Sequence, residues 1–162
     1  MNGKLVAGFI VMIALLAGVA MYWLQEYAYY APVSFKPGDE IELTPLKGPP
    51  EAIPVANLQG IDATSSPLRF RACFTTTLDQ ATLTDGYKVY EGAVPLVGPS
   101  WFDCFDAGKI TAALASGEAI AFLSKADVAP QIDAVVAVYP DGHAYAWHQV
   151  KPGIDVNTGA EE

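Results

Sequence analysis

The apolar positions of this chain fall into two regimes. From Leu5 to Leu24 the sequence LVAGFIVMIALLAGVAMYWL contains no charge and no proline, and no polar stripe interrupts it. Beyond residue 67 the apolar positions come in short alternating or helical runs, separated by Gly, Pro and Asp. The first pattern predicts a continuous apolar helix. Twenty residues reach about 30 Å, the thickness of a bilayer's hydrocarbon core. Ten of them are Leu, Ile, Val or Phe, which favours insertion by several kcal/mol. Tyr22, Trp23, Tyr27, Tyr29 and Tyr30 gather at one end, where amphipathic rings prefer the headgroup layer, and Lys4 stands at the other. Residues 1–31 are therefore expected to be an uncut, single-pass membrane anchor. Two other readings stay open: a cleavable signal peptide cut after Gly18-Val19-Ala20, and a buried core helix. Lys4 precedes the run, whereas Glu26 follows it and the next base is Lys36, so the positive-inside bias favours a cytoplasmic N-terminus. Ala7, Val11, Ala14 and Gly18 fall on one helical stripe. Small residues there would let a neighbouring helix approach closely, or simply reflect what membrane helices contain.

The second regime predicts an α+β fold. Residues 32–67 carry seven prolines and are expected to form an extended arm, with one short strand at 40–46 ended by Pro49-Pro50. Residues 68–152 are expected to be compact. Within them, 69–74 alternates as a half-buried strand, with Phe70, Ala72 and Phe74 inward and Arg69, Arg71 and Cys73 on the other face. Asp106 and Gly117 bracket a helix over 106–116. Further strands are predicted at 119–123, 132–139 and 143–150, the last two joined by the turn Pro140-Asp141-Gly142. A three-residue loop sets Val138 opposite Ala144, Val136 opposite Ala146 and Val135 opposite Trp147. One face of this hairpin then holds Ala134, Val136, Val138, Ala144 and Ala146, small enough for the alanine-rich helix to pack on it. The other holds Val135, Ala137, Tyr139, Tyr145 and Trp147. The expectation is an antiparallel sheet of about four strands with one main helix on it, followed by a frayed acidic tail at 153–162. Tyr139, Tyr145 and Trp147 either form a binding face or are covered by 75–105, whose Tyr87, Tyr90, Trp101 and Phe102 also need burial.

Composition narrows the chemistry. The chain has 162 residues and a formal charge of −9, with 52% apolar and 17% charged side chains. Those values argue against a disordered chain and against a nucleic-acid binder that neutralises phosphates. A Cys/His zinc site would consume both cysteines and both histidines, and no metal or cofactor is expected. In an oxidising compartment Cys73 and Cys104 should form a disulfide, worth roughly 3–4 kcal/mol for a loop of this length. Alternatively Cys73 is a reactive thiol beside Arg69 and Arg71, although no CxxC spacing accompanies it. His143 and His148 differ by an odd number on one strand, which puts them on opposite faces. Asp103 and Asp106 are the densest acids near aromatic residues, but Asp106 serves as a helix cap, leaving Asp103 alone. GxSxG, SxxK, phosphate-loop, dinucleotide and calcium-loop motifs are absent from the sequence, so no catalytic residue is assigned.

The segments MNGKLVAGFIVM, SSPLRFRACF, VPLVGPSWFDCFDA and AYAWHQ together resemble an uncharacterised family of small single-pass membrane-anchored proteins from alphaproteobacteria, over Met1 to about Val150. The resemblance implies a bacterial inner-membrane protein and lends no catalytic residue. With the charge bias and the cysteines, the expectation is a periplasmic α+β domain on a membrane anchor. Its expected role is that of a non-catalytic accessory or assembly protein, with the lipid bilayer and another membrane protein as partners. The alternative is a periplasmic small-molecule binding or sensing module that uses Tyr139, Tyr145 and Trp147.

Overall fold

The structure is a computed structural model that describes residues 2–35 and 41–154. In chain order its elements are α1 (Gly3–Glu26), β1 (Ala31–Pro32), β2 (Glu42–Leu43), β3 (Glu51–Ala52), β4 (Ala56–Asp62), β5 (Arg71–Thr75), α2 (Gln80–Gly86), α3 (Ala107–Ser116), β6 (Ile120–Ala129), β7 (Ile132–Val138) and β8 (His143–Val150). α1 is long and apolar enough to span a membrane or to be a signal sequence, and none of its residues is buried. That exposure removes the buried-core-helix reading, because an interior helix would be covered by the rest of the chain.

The rest is α+β. Six antiparallel strands form one sheet in the order β1-β4-β5-β8-β7-β6, and β2 pairs with β3 in a small ribbon. The sheet is larger than the four strands expected. The additional strands, β1 and β4, come from residues 31–62, which sequence assigned to an extended arm at 32–67 and, for Ala31, to the end of the anchor. In β4 the register with β5 shifts between Ala56 and Gln59, and Asn57 sits at φ +54°. A bulge of this kind breaks the alternation by which a strand is recognised. The short strand expected at 40–46 is reduced to β2; Glu40 lies outside the described residues, as do 155–162 of the expected acidic tail.

The hairpin β7–β8 has the register its turn dictates: Val138 faces Ala144, Val136 faces Ala146 and Val135 faces Trp147. Gly142 adopts φ +85°, and a Cβ there would lie 2.6 Å from the Thr76 carbonyl oxygen, so only glycine fits. α3 is capped at its start by Asp106, whose carboxylate accepts from the Lys109 amide, and at its end by Gly117 with φ +77°. α2 has the same device: Asp79 accepts from the Thr82 amide at 2.8 Å.

Both faces of the sheet are covered, and every residue of β7 is buried. One face packs Ala72, Phe74, Phe122, Val136, Val138, Ala144 and Ala146 against Leu43, Ile53 and Leu83. The other packs Cys73, Ala121, Val135, Ala137 and Trp147 against Phe102, Phe105 and the Ala107–Ile110 turn of α3. The helix therefore lies on the face opposite to the one expected. The cause is in the flanking strands: Phe74 pairs with Ala144 and Phe122 pairs with Val136. These rings fill the room left by the small hairpin residues, while α3 packs on the face that carries Trp147.

Candidate interaction site at the foot of the apolar helix

The C-terminal end of α1 is fastened directly to the globular part. The Glu26 carboxylate accepts from the Ser100 amide at 2.8 Å and from the Ser100 hydroxyl at 3.0 Å. The Trp101 indole N–H donates to the Glu26 carbonyl at 2.6 Å. Tyr27 stacks on Trp101 with centroids 6.3 Å apart, Tyr30 meets it edge-on at 6.2 Å, and Tyr22 meets Tyr27 edge-on at 6.2 Å. The Arg69 guanidinium lies 5.2 Å from the centre of the Tyr30 ring. Ala31 and Pro32 then pair with Asp62 and Ile61, so the chain enters the sheet within a few residues of leaving the helix.

Three ties hold the 92–104 segment in place to receive this foot. Cys104 is bonded to Cys73 of β5, with Cα atoms 6.2 Å apart. Gln149 is buried; its amide carbonyl accepts from the Trp147 indole and the Val94 amide, and its NH2 donates to the Gly92 carbonyl. The Arg71 side chain is the third. Only 2% exposed, it donates from Nε to the Leu96 carbonyl, from Nη1 to the Leu68 and Phe70 carbonyls, and from Nη2 to the Val97 carbonyl. Among the described residues no carboxylate lies within ion-pair distance of it. Burial draws this guanidinium down to about 10, offset in part by Tyr30 and Asp62, and it stays charged at neutral pH. A charged fork that spends its protons on four carbonyl oxygens fixes two loops at once.

Between this segment and the β1–β4 edge lies an open hollow of about 630 Å³, lined by Pro32, Val33, Leu58, Ile61, Trp101 and Phe102, with Gly60 and Asp103 at its border. Asp103 is exposed, and Asp106 is committed to capping α3, so the two carboxylates do not form an acid–base pair. Most of the side chains that line the hollow are apolar.

The other residues singled out by sequence lie as follows. Trp147 is fully buried, edge-on to Phe105 at 6.3 Å. Tyr139 and Tyr145 are half-buried and meet edge-on at 5.6 Å; Tyr145 also borders a hollow of 190 Å³ beside the disulfide. Burial raises both phenols above their ordinary range. Ala7, Ala14 and Gly18 lie exposed on α1, and no protein atom lies near the position a Gly18 Cβ would take. His143 is exposed and paired with Asp141, whereas His148 stacks on Phe70 and hydrogen-bonds the Pro67 carbonyl. Among the described residues no group of three or more His, Cys, Asp or Glu converges on a metal position. Sequence reasoning missed Arg71 and Gln149 as loop clamps, and Ser100 and Trp101 as partners of Glu26.

A family of unknown function (DUF6446) matches residues 41–159, well over half of the chain. The chain belongs to this family. The DUF6446 span takes in β2 to β8, the disulfide and the Ser100–Trp101 half of the helix dock, and excludes α1 and β1. No curated protein and no solved structure matches the chain.

Proposed function

We propose that this is a single-pass bacterial inner-membrane protein whose α+β domain lies in the periplasm and serves as a non-catalytic accessory or assembly partner of a membrane complex. The observation that carries the reading is the dock itself. Glu26, at the last turn of an apolar helix that has no buried residue, is bonded to Ser100 and Trp101 of the domain. A domain joined in this way has a fixed height and orientation relative to its helix, which suits a part that positions other proteins. Lys4 ahead of the helix supports a cytoplasmic N-terminus, and the Cys73–Cys104 disulfide supports an oxidising compartment for the domain. The stripe of Ala7, Ala14 and Gly18, exposed along the helix, is the surface on which a partner helix would pack.

Purification of the tagged full-length protein in mild detergent tests this. A stoichiometric membrane partner is expected, and it should be lost from a variant carrying Ala14→Leu and Gly18→Leu. Recovery of the chain alone under conditions that preserve known complexes would count against it. Activity of a C-terminal reporter enzyme only in the cytosol would overturn the periplasmic placement.

One observation favours the second reading, a periplasmic binding module. Trp147 is buried beneath Phe105, so a small molecule would not reach that ring; the 630 Å³ hollow beside Trp101 and Phe102 is of ligand size. A thermal-shift screen separates the readings, because a ligand at a hundredfold excess over Kd adds about 2.7 kcal/mol of stability.

A further inference from the structure

We propose that the loop from Val97 to Trp101 is a second membrane contact, seated in the headgroup layer of the leaflet from which α1 emerges, so that the domain rests on the bilayer instead of standing away from it. This rests on the reading of α1 as a membrane span and adds to it.

Depth is the first argument. Leu24 is the last residue of the uncharged apolar run, and Glu26 lies two residues further, about 3 Å along the axis. The polar layer on each side of the hydrocarbon is about 5–7 Å thick. Trp101, hydrogen-bonded to the Glu26 carbonyl at 2.6 Å and stacked on Tyr27, is thereby brought to that layer. The row Tyr22, Tyr27, Trp101 carries the interfacial aromatic belt of the helix onto the domain.

Charge and exposure point the same way. In a chain of net charge −9, Gly92 to Phe102 is uncharged, between Glu91 and Asp103. An anionic surface therefore repels most of the domain but not this run. Val97 in its middle is 82% exposed, the most exposed large apolar side chain among the described residues, and Val94 is 57% exposed. Arg71 pins the carbonyls of Leu96 and Val97, so the valine is presented on a fixed backbone and not on a floppy loop. Val97 is three residues from Ser100, within about 10 Å of it by chain reach, and Ser100 is bonded to the helix foot at Glu26. Arg69, against Tyr30 at the same foot, supplies a cation for lipid phosphate.

The test uses the full-length protein in phosphatidylcholine nanodiscs, with or without phosphatidylcholine brominated on the acyl chains just below the ester. The emission of Trp101 is read as the difference between Trp23→Phe and Trp23→Phe/Trp101→Phe, and that of Trp23 as the difference between wild type and Trp23→Phe. Quenching of both, with about a third or more of the Trp101 emission lost, is expected for a ring in the interfacial belt. Quenching of Trp23 alone would overturn the proposal and leave the membrane span standing. Quenching of neither would remove the span and this contact together. A second readout keeps Trp101 in place: amide exchange of residues 96–102 should be several-fold slower in nanodiscs than in micelles, and Val97→Glu should abolish the difference. Equal rates for the wild type in both would overturn the proposal.

Discussion

The indole N–H of Trp101 donates to the backbone carbonyl of Glu26 at 2.6 Å, joining residues 75 positions apart and coupling the apolar helix to the domain. Trp101 also stacks on Tyr27 and meets Tyr30 edge-on. Aromatic pairs contribute about 0.5–1.5 kcal/mol each and a hydrogen bond about 1 kcal/mol. Trp101→Ala should therefore weaken the dock by about 2 kcal/mol, which is roughly 30-fold faster amide exchange at residues 27–33. Trp101→Phe keeps the stacking and should lose about half of that free energy. Unchanged exchange in Trp101→Ala would show that the dock does not restrain the helix foot.

The Cys73–Cys104 bond should be present in protein isolated without reductant, with no free thiol detected in the folded chain. Its removal by Cys73→Ser/Cys104→Ser should lower stability by roughly 3–4 kcal/mol. For a domain of this size that is a fall in melting temperature of about 10 °C. The segment around Ser100 and Trp101 should loosen first, because Cys104 is its covalent tie to β5. Equal melting curves for oxidised and reduced protein would refute this role.

Arg71→Met should cost about 3–5 kcal/mol, because it strips the donors from the Leu68, Phe70, Leu96 and Val97 carbonyls. Arg71→Lys should recover little of this, since one ammonium cannot reproduce a planar fork that reaches loops on both sides. Chemical denaturation of the two variants measures both costs. A lysine variant as stable as wild type would show that the charge matters and the fork does not.

Stability should fall on both sides of neutral pH for separate reasons. Burial holds the His148 imidazole below its ordinary range, against the opposing pull of the Pro67 carbonyl and Asp62, with Arg71 adding to the depression. Because the carbonyl can only accept, Nδ1 carries a proton in this contact, and burial disfavours a second proton on Nε2. The unfolded chain takes up a proton below about 6.5 while the folded chain resists it, so stability is lost as pH falls from 7 toward 5. His148→Phe, which keeps a ring on Phe70, should flatten that decline. On the alkaline side burial raises Tyr90, and its hydrogen bond to Asp133 raises it further. Its contribution is complete below about 10 and is lost as pH rises above that, because the unfolded phenol ionises first. Tyr90→Phe should reduce the alkaline loss. Urea midpoints measured from pH 5 to 11 for wild type and both variants check the two signs.

The hairpin and α3 were legible in the sequence because each is specified locally. Pro140-Asp141-Gly142 sets the turn and its register, and Asp106 and Gly117 set the helix ends. Which face α3 would cover was not legible, because Phe74 and Phe122 decide it from strands on either side of the hairpin. β4 was hidden by its bulge at Asn57. Alternation marked Arg71 as a residue on the face away from the Phe70–Phe74 core, but no pattern of residue types reveals four backbone carbonyls waiting above it. The aromatic cluster on either side of Leu24 was visible, whereas its continuation onto Trp101 is a contact between distant residues that no periodicity encodes.

Cys104 follows Trp101 by three residues and is covalently joined to β5, a strand flanked by β4 and β8. Any tilt of α1 is thus conveyed through Glu26, Trp101 and a sulfur strut into the middle of the sheet. Two hydrogen-bonded residues and one covalent bond are all that separate the helix from the sheet along this path.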